Sequence, residues 1–189
     1  MNKRTMMLLV AGLLCLPVVA TAHPGHAGDG FGAGFMHPFL GLDHLLAMVV
    51  VGIWSVLHSR RVWLAPLCFV SFLAIGAMLG HGGLVVPQLE PLVAASVLVL
   101  GLMLTSPLGR GTSPLAVIGA FALCHGMAHG GELGAAGSVL AGIVLGSAIL
   151  HGAGMLLARH VLQQRESWAH RLGQAVALVG GFLLVNTLF

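Results

Sequence analysis

The chain has 189 residues, of which 58% are hydrophobic and only 7% charged, against about 25% charged in a soluble domain. Such a sequence is built for lipid, and its few ionisable groups, with a net charge of +3, exclude the basic face that nucleic acid binding needs. The 11 histidines outnumber the 8 Lys and Arg residues together, an imbalance that points to metal chemistry or proton movement inside an apolar chain.

Residues 1–22 read as a signal peptide. Lys3 and Arg4 precede an apolar stretch over 6–19, and Ala20-Thr21-Ala22 satisfies the small-x-small cleavage rule. A retained signal anchor is the alternative, but Pro17 and the short apolar run suit a signal better. Cleavage leaves a mature chain that begins at His23, with residues 23–36 as a Gly-rich periplasmic N-terminal segment. In His23-Pro24-Gly25-His26 the α-amine and the imidazole of His23 can capture a divalent ion weakly, with His26 close behind. Pro24 has no amide proton to lose, which excludes the square-planar amino-terminal copper and nickel motif. A passive flexible lead is the equal alternative. Cys68 and Cys124 both lie inside apolar stretches, so neither a disulfide framework nor a Cys-rich zinc site is expected.

Six apolar segments follow, at 38–57, 63–80, 91–105, 114–130, 133–157 and 172–189, each near the roughly 20 residues that a bilayer demands. The expected fold is therefore all-α, a polytopic membrane protein whose residues 37–189 form a six-helix transmembrane bundle. With the mature amino end outside, the first, third and fifth loops face the cytoplasm and hold Arg60, Arg61, Arg110, Arg159, Arg165 and Arg171. Every basic residue of the mature chain then falls inside, as the positive-inside rule requires, and both mature termini are periplasmic. Small-xxx-small pairs at Gly76 and Gly80, Gly126 and Gly130, and Gly142 and Gly146 permit close helix contacts.

The first span opens with His37-Pro38-Phe39-Leu40-Gly41-Leu42-Asp43-His44. Pro38 suits a first helical turn, which carries Asp43 and His44 roughly 9 Å into the membrane. An unpaired carboxylate there costs about 3 kcal/mol or more, so Asp43 needs a partner. His37 and His44 are seven residues apart on one helical face, too far apart for one metal unless the helix start is bent. In the fourth span, His125 and His129 stand one turn apart with Glu132 three residues further on, a chelating stripe if the helix persists. Opposed chain directions bring the two motifs to similar depth in the outer half of the membrane, where they are expected to converge around one divalent ion. His81 and Glu90 flank the second outer loop and form a second tier with His26. His151, beside Gly152 and Gly154, reads as a packing residue; His58, His160 and His170 read as solvated or interfacial loop residues; Cys124 and Met127 read as packing.

The early His-Pro-Gly-His, the pattern His-x5-Asp-His ending at His44, and His-Gly-x-Ala-His-Gly-x-Glu over His125 to Glu132 resemble the HupE/UreJ family of nickel permeases. Cys124 stands where that family often has Phe. The resemblance implies an inner-membrane, multi-pass permease, not an enzyme, that takes up Ni2+ for enzymes such as hydrogenase or urease. It implies His37, Asp43, His44, His125, His129 and Glu132 as ligands, with His23 at the entrance. Independently, imidazole plus carboxylate suits borderline cations, Ni2+, Co2+ or Zn2+. The expected partners are that ion and membrane lipid, with a homo-oligomer left open and no prosthetic group. Two other readings use the same histidines: a membrane-embedded metalloenzyme with an open coordination position, and a b-type haem protein with axial His pairs.

Overall fold

The structure, a computed structural model, describes residues 30–105, 113–133, 137–163 and 166–189. The expected signal segment, His23, His26, Arg110 and Arg165 lie outside the described residues. Within them every regular element is helical: α1 (Phe31–Leu40), α2 (Leu42–His58), α3 (Leu64–His81), α4 (Leu89–Thr105), α5 (Ser113–Leu133), α6 (Gly137–Leu157) and α7 (Glu166–Leu188), with a π-helical turn over Ala158–Leu162 extending α6.

Helices thus occupy the described parts of all six apolar segments, with shifted ends and a break at Gly41. By length and apolarity three helices can cross a bilayer, namely α3, α6 with its extension, and α7, and the bent pair α1 and α2 makes a fourth. Helix α4 falls short at 17 residues, and α5 carries His125, His129 and Glu132 within its apolar run.

The largest departure from the sequence reading is at the first span. Its helix does not begin at Pro38. It begins at Phe31, inside the segment read as a Gly-rich lead, and Pro38 lies in its final turns. Phe31, Phe35 and Phe39 follow one another at one-turn spacing, with ring centroids 6.1 and 5.5 Å apart, an apolar ladder that offsets the weak helix propensity of Gly32 and Gly34. Helix α1 then ends at Gly41, and α2 leaves at a bend of 83°. At the other end of the chain, α7 starts at Glu166 rather than at residue 172.

Helix α2 is the axis of the bundle. Every residue from His44 to Val56 is buried, the pattern of a helix apolar all round and surrounded on all sides. Helices α3 and α7 instead leave apolar side chains exposed, among them Phe72, Ile75 and Met78 on one and Leu178, Phe182 and Val185 on the other. In an aqueous protein such surfaces would be liabilities; here they are what lipid covers.

Glycines set the helix spacing, because lipid tails supply no hydrophobic drive between helices and close backbone packing has to serve instead. A Cβ at Gly76 or Gly80 would strike the carbonyl oxygen of Leu123 or Met127 on α5, and one at Gly126 or Gly130 would strike that of Leu73 or Ala77 on α3. The same contact recurs between α1 and α6 through Gly34, Gly142 and Gly146, between α2 and α6 through Gly52 and Gly154, and between α4 and α7 through Gly101, Gly173 and Gly180. All three small-residue pairs read from the sequence lie at such contacts. Gly152 faces open space. Gly126→Ala should therefore destabilise the protein by about 1–3 kcal/mol through overpacking, while Gly152→Ala should be neutral or slightly stabilising. Thermal unfolding of the two detergent-solubilised variants checks this, and equal melting temperatures would contradict it.

Candidate metal centre

The centre is assembled by the joint at Gly41. This residue has extended backbone angles, φ −85° and ψ 121°, and serves as C-cap of α1 and N-cap of α2. Pro38 has no N–H to donate to the Gly34 carbonyl one turn back; the Gly41 N–H closes α1 on the His37 carbonyl, and the Gly41 carbonyl accepts the amide of Leu45 to begin α2. Seven residues of straight helix would separate His37 and His44 by roughly 10 Å. The bend folds them together instead, with ring centroids 5.7 Å apart.

Helix α5 completes the site from the opposite side. It continues unbroken past Gly130, so His125 and His129 share one stripe, and both are 0% exposed. The His129 ring lies 4.6 Å from that of His37 and 4.5 Å from that of His44, and the His125 ring lies 4.6 Å from that of His44. His37, His44 and His129 each offer a ligand atom within 4.8 Å of the other two. At imidazole–metal bonds of about 2 Å, donors on opposite sides of one ion are about 4 Å apart. Small side-chain rotations therefore suffice for chelation.

Hydrogen bonds fix which nitrogens face the centre. Asp43 Oδ1 accepts the backbone N–H of His44 at 2.8 Å and pairs with His44 Nδ1 at 2.6 Å. The carboxylate holds the proton on Nδ1 and leaves His44 Nε2 as a buried lone pair with no partner. This carboxylate–histidine arrangement orients metal-binding imidazoles and raises their basicity. A Cβ on Gly41 would come within 2.9 Å of both Asp43 Oδ1 and His44 Nδ1, so the pair depends on glycine at the joint. His125 is fixed differently. Ser96 donates its hydroxyl to the Val93 carbonyl at 2.6 Å and so accepts from His125 Nε2 at 2.8 Å. His125 Nδ1 is then the unpartnered lone pair, and neither ring nitrogen of His129 has a hydrogen-bond partner. Each such buried polar atom costs about 1–3 kcal/mol when left unsatisfied, which makes these nitrogens suited to contact a polar or cationic ligand.

The candidate residues thus divide. His37, His44 and His129 form the chelating group, His125 adjoins it, and Asp43 reaches it through His44. Glu132 lies in the last turn of α5, but its side chain is outside the described residues, as are His23 and His26. His81 and Glu90 are exposed, at the end of α3 and the start of α4, and neither belongs to the group. His160 and His170 are exposed; His58 is partly buried, with its ring 6.1 Å from that of Trp54. Two contributors were missed. Ser96 was overlooked as an ordinary residue of an apolar span, although a hydroxyl there needs a partner, and Gly41 was overlooked because its role is conformational.

The profile described as HupE / UreJ protein matches residues 10–183. Protein HupE of Rhizobium leguminosarum bv. viciae is 42% identical over 179 residues, an alignment that covers 92% of this chain and 94% of that protein. No solved structure is significantly similar. With the match running from the first apolar stretch almost to the end of α7, the chain belongs to the HupE/UreJ family.

Proposed function

We propose that the chain is a bacterial inner-membrane permease that takes up divalent nickel, with cobalt as the nearest competitor, and supplies nickel enzymes such as hydrogenase or urease. The observation that carries this reading is the convergence of His37, His44 and His129, with their ligand atoms within 4.8 Å of one another, inside a bundle whose core is otherwise mostly apolar among the described residues. The buried imidazoles of His44 and His129, whose nitrogens include ones with no hydrogen-bond partner, together with half-buried His37 and a carboxylate one hydrogen bond away, make a borderline donor set, suited to Ni2+, Co2+ or Zn2+ and unsuited to Mg2+ or Ca2+, which take oxygen.

In this reading residues 1–22 are removed, the remaining chain crosses the membrane six times, and both mature termini lie in the periplasm. Helix α2 begins at the centre, and Arg60 and Arg61 follow its far end; Arg159 stands at the far end of α6 and Arg171 near the start of α7, all of them exposed. That distribution supports an outward-facing centre with a cytoplasmic basic rim. His23, Glu132, His81 and Glu90 are assigned to capture at the outer mouth. The metal is cargo, so the chain is not an enzyme in this reading. The haem alternative is disfavoured by ring centroids of 4.5–4.6 Å, because axial imidazoles on opposite faces of a macrocycle stand farther apart than rings in contact.

Radioactive nickel uptake into proteoliposomes tests the proposal, with cobalt and zinc as competitors. His37→Ala, His44→Ala and His129→Ala should each lower uptake about tenfold or more, while His160→Ala and His170→Ala should change it less than about twofold. A folded His129→Ala protein that transports at the wild-type rate would sink the assignment.

Asp43 separates orientation from direct ligation. Asp43→Asn keeps an oxygen that can accept from His44 Nδ1 and loses only the charge, so nickel affinity should fall about 10- to 100-fold without vanishing. Gly41→Ala should produce a loss of similar size in a protein that still folds, by pushing the Asp43–His44 pair aside. Isothermal titration with Ni2+ measures both, and complete loss of binding in Asp43→Asn would make Asp43 a ligand in its own right.

A further inference from the structure

His151 is a fully buried imidazole that the centre does not use. It lies on α6, 1% exposed, and its backbone is clamped against α2, where Gly52 packs on the His151 carbonyl. Read from the sequence it is a packing residue, for which the ordinary role would be a hydrogen bond between helices. The structure shows another arrangement. His151 Nδ1 donates to the Ser147 carbonyl of its own helix at 2.6 Å, a bond that ties no two helices together. The proton is thereby placed on Nδ1, and Nε2 is left as a lone pair, buried and without a partner. Nδ1–H held by a backbone carbonyl with Nε2 free is the form in which histidine binds metal. A packing residue gains nothing from that nitrogen, which costs about 1–3 kcal/mol unsatisfied and which Phe or Leu would avoid.

Its neighbours place it in line with the centre. The Phe69 ring is 5.8 Å from the His125 ring and 5.1 Å from the His151 ring, so one fully buried phenyl is the shared neighbour of both imidazoles. His129 stands about 6 Å from the end of α5, whereas His151 stands about 21 Å along α6 from the same end of the bundle. One turn back on the same face of α6, the Ser147 hydroxyl is also buried and unpartnered. Two buried, unpartnered polar atoms at this depth, on the far side of Phe69 from the cluster, are placed to contact a polar or cationic ligand.

We propose that His151 is a second, inner binding station for the transported divalent ion, which reaches it from the His37, His44, His129 and His125 cluster by passing Phe69. This deepens the permease reading and rests on it. Ser147 lies one turn before the station and can offer its hydroxyl oxygen to an ion that arrives partly hydrated. A relay of this kind needs separated sites, each weak enough to release its ion to the next.

His151→Ser and His151→Cys, nearly equal in size, separate ligation from packing. In the purified full-length protein, His151→Ser should lower nickel entry into proteoliposomes about tenfold or more, while the affinity of the outer cluster for Co2+ stays within about twofold of wild type, as expected for a change at a separate site. When Co2+ is added, His151→Cys should show a thiolate-to-cobalt charge-transfer band that His151→Ser lacks, and since both variants retain Cys68 and Cys124 their difference isolates residue 151. Wild-type transport in His151→Ser, loss of outer binding and transport together, or absence of the difference band would each overturn the station. Wild-type vesicles that admit no nickel would instead count against the permease reading, and the charge-transfer band would still report whether an ion reaches residue 151.

Discussion

At Gly41 the chain turns by 83° between two helices, and the histidine cluster of the candidate metal centre depends on that joint. On one side α1 carries His37 in its last turns; on the other α2 carries Asp43 and His44 in its first. Without the bend the two imidazoles lie two helical turns apart, and no position is within reach of both. With it, the start of α2 is left with exposed helical N–H groups, and the Asp43 carboxylate accepts the His44 amide there while holding the His44 ring. An acidic group in the first turn is also favoured by the helix dipole. One backbone irregularity therefore solves two problems: it stabilises a carboxylate in an apolar bundle, and it aims the lone pair of the neighbouring imidazole.

The glycine contacts carry this local geometry to the rest of the molecule. The stripe His125 and His129 can face α2 only if α5 is held in place by α3, and the paired glycines of those helices allow backbone to meet backbone. Helix α1, short and set across the end of α2, is held by α6 through Gly34 against Val139 and through Gly142 against the Phe31 carbonyl. Helix α6 in turn is pinned to α2 at Gly52 and Gly154. The imidazoles are thus mounted on a frame whose spacings are set by hard backbone contacts, which tolerate little drift.

Much of this was legible in the sequence, and the reasons for what was not are physical. Helix type and order follow from apolar length, and the glycine pairs from small-residue spacing, because both depend on local composition. The histidines of α5 could be placed because a regular helix makes i and i+4 neighbours without further information. The first motif could not, because its geometry is set by a break, and Gly41 and Pro38 do not reveal whether a chain kinks, loops or continues. Phe31, Phe35 and Phe39 draw α1 into the segment read as a Gly-rich lead, and the helix is held only once α6 meets its buried Gly34 and Pro38 face. Asp43 was expected to need a partner, and its carboxylate pairs with the adjacent His44. Ser96 became visible only when α4 was seen to lie against α5, a long-range fact that no spacing encodes.

The same physics bears on how tightly an ion is held. A cage of directly coordinating carboxylates would bind a divalent cation strongly and neutralise it, whereas imidazoles leave its full charge to be stabilised by the surroundings. Among the described residues the carboxylate beside the group is that of Asp43, which pairs with His44; acting through that imidazole, it would strengthen a single bond without closing the shell. For an ion held there, the buried unpartnered nitrogens would favour binding, and the ion's own charge in an apolar bundle would oppose it. These two terms have opposite signs and comparable origins, so the net binding is moderated by the very burial that makes the site selective for ligands of this kind. In the permease reading such moderation is a requirement, because conduction needs binding strong enough for entry and weak enough for departure.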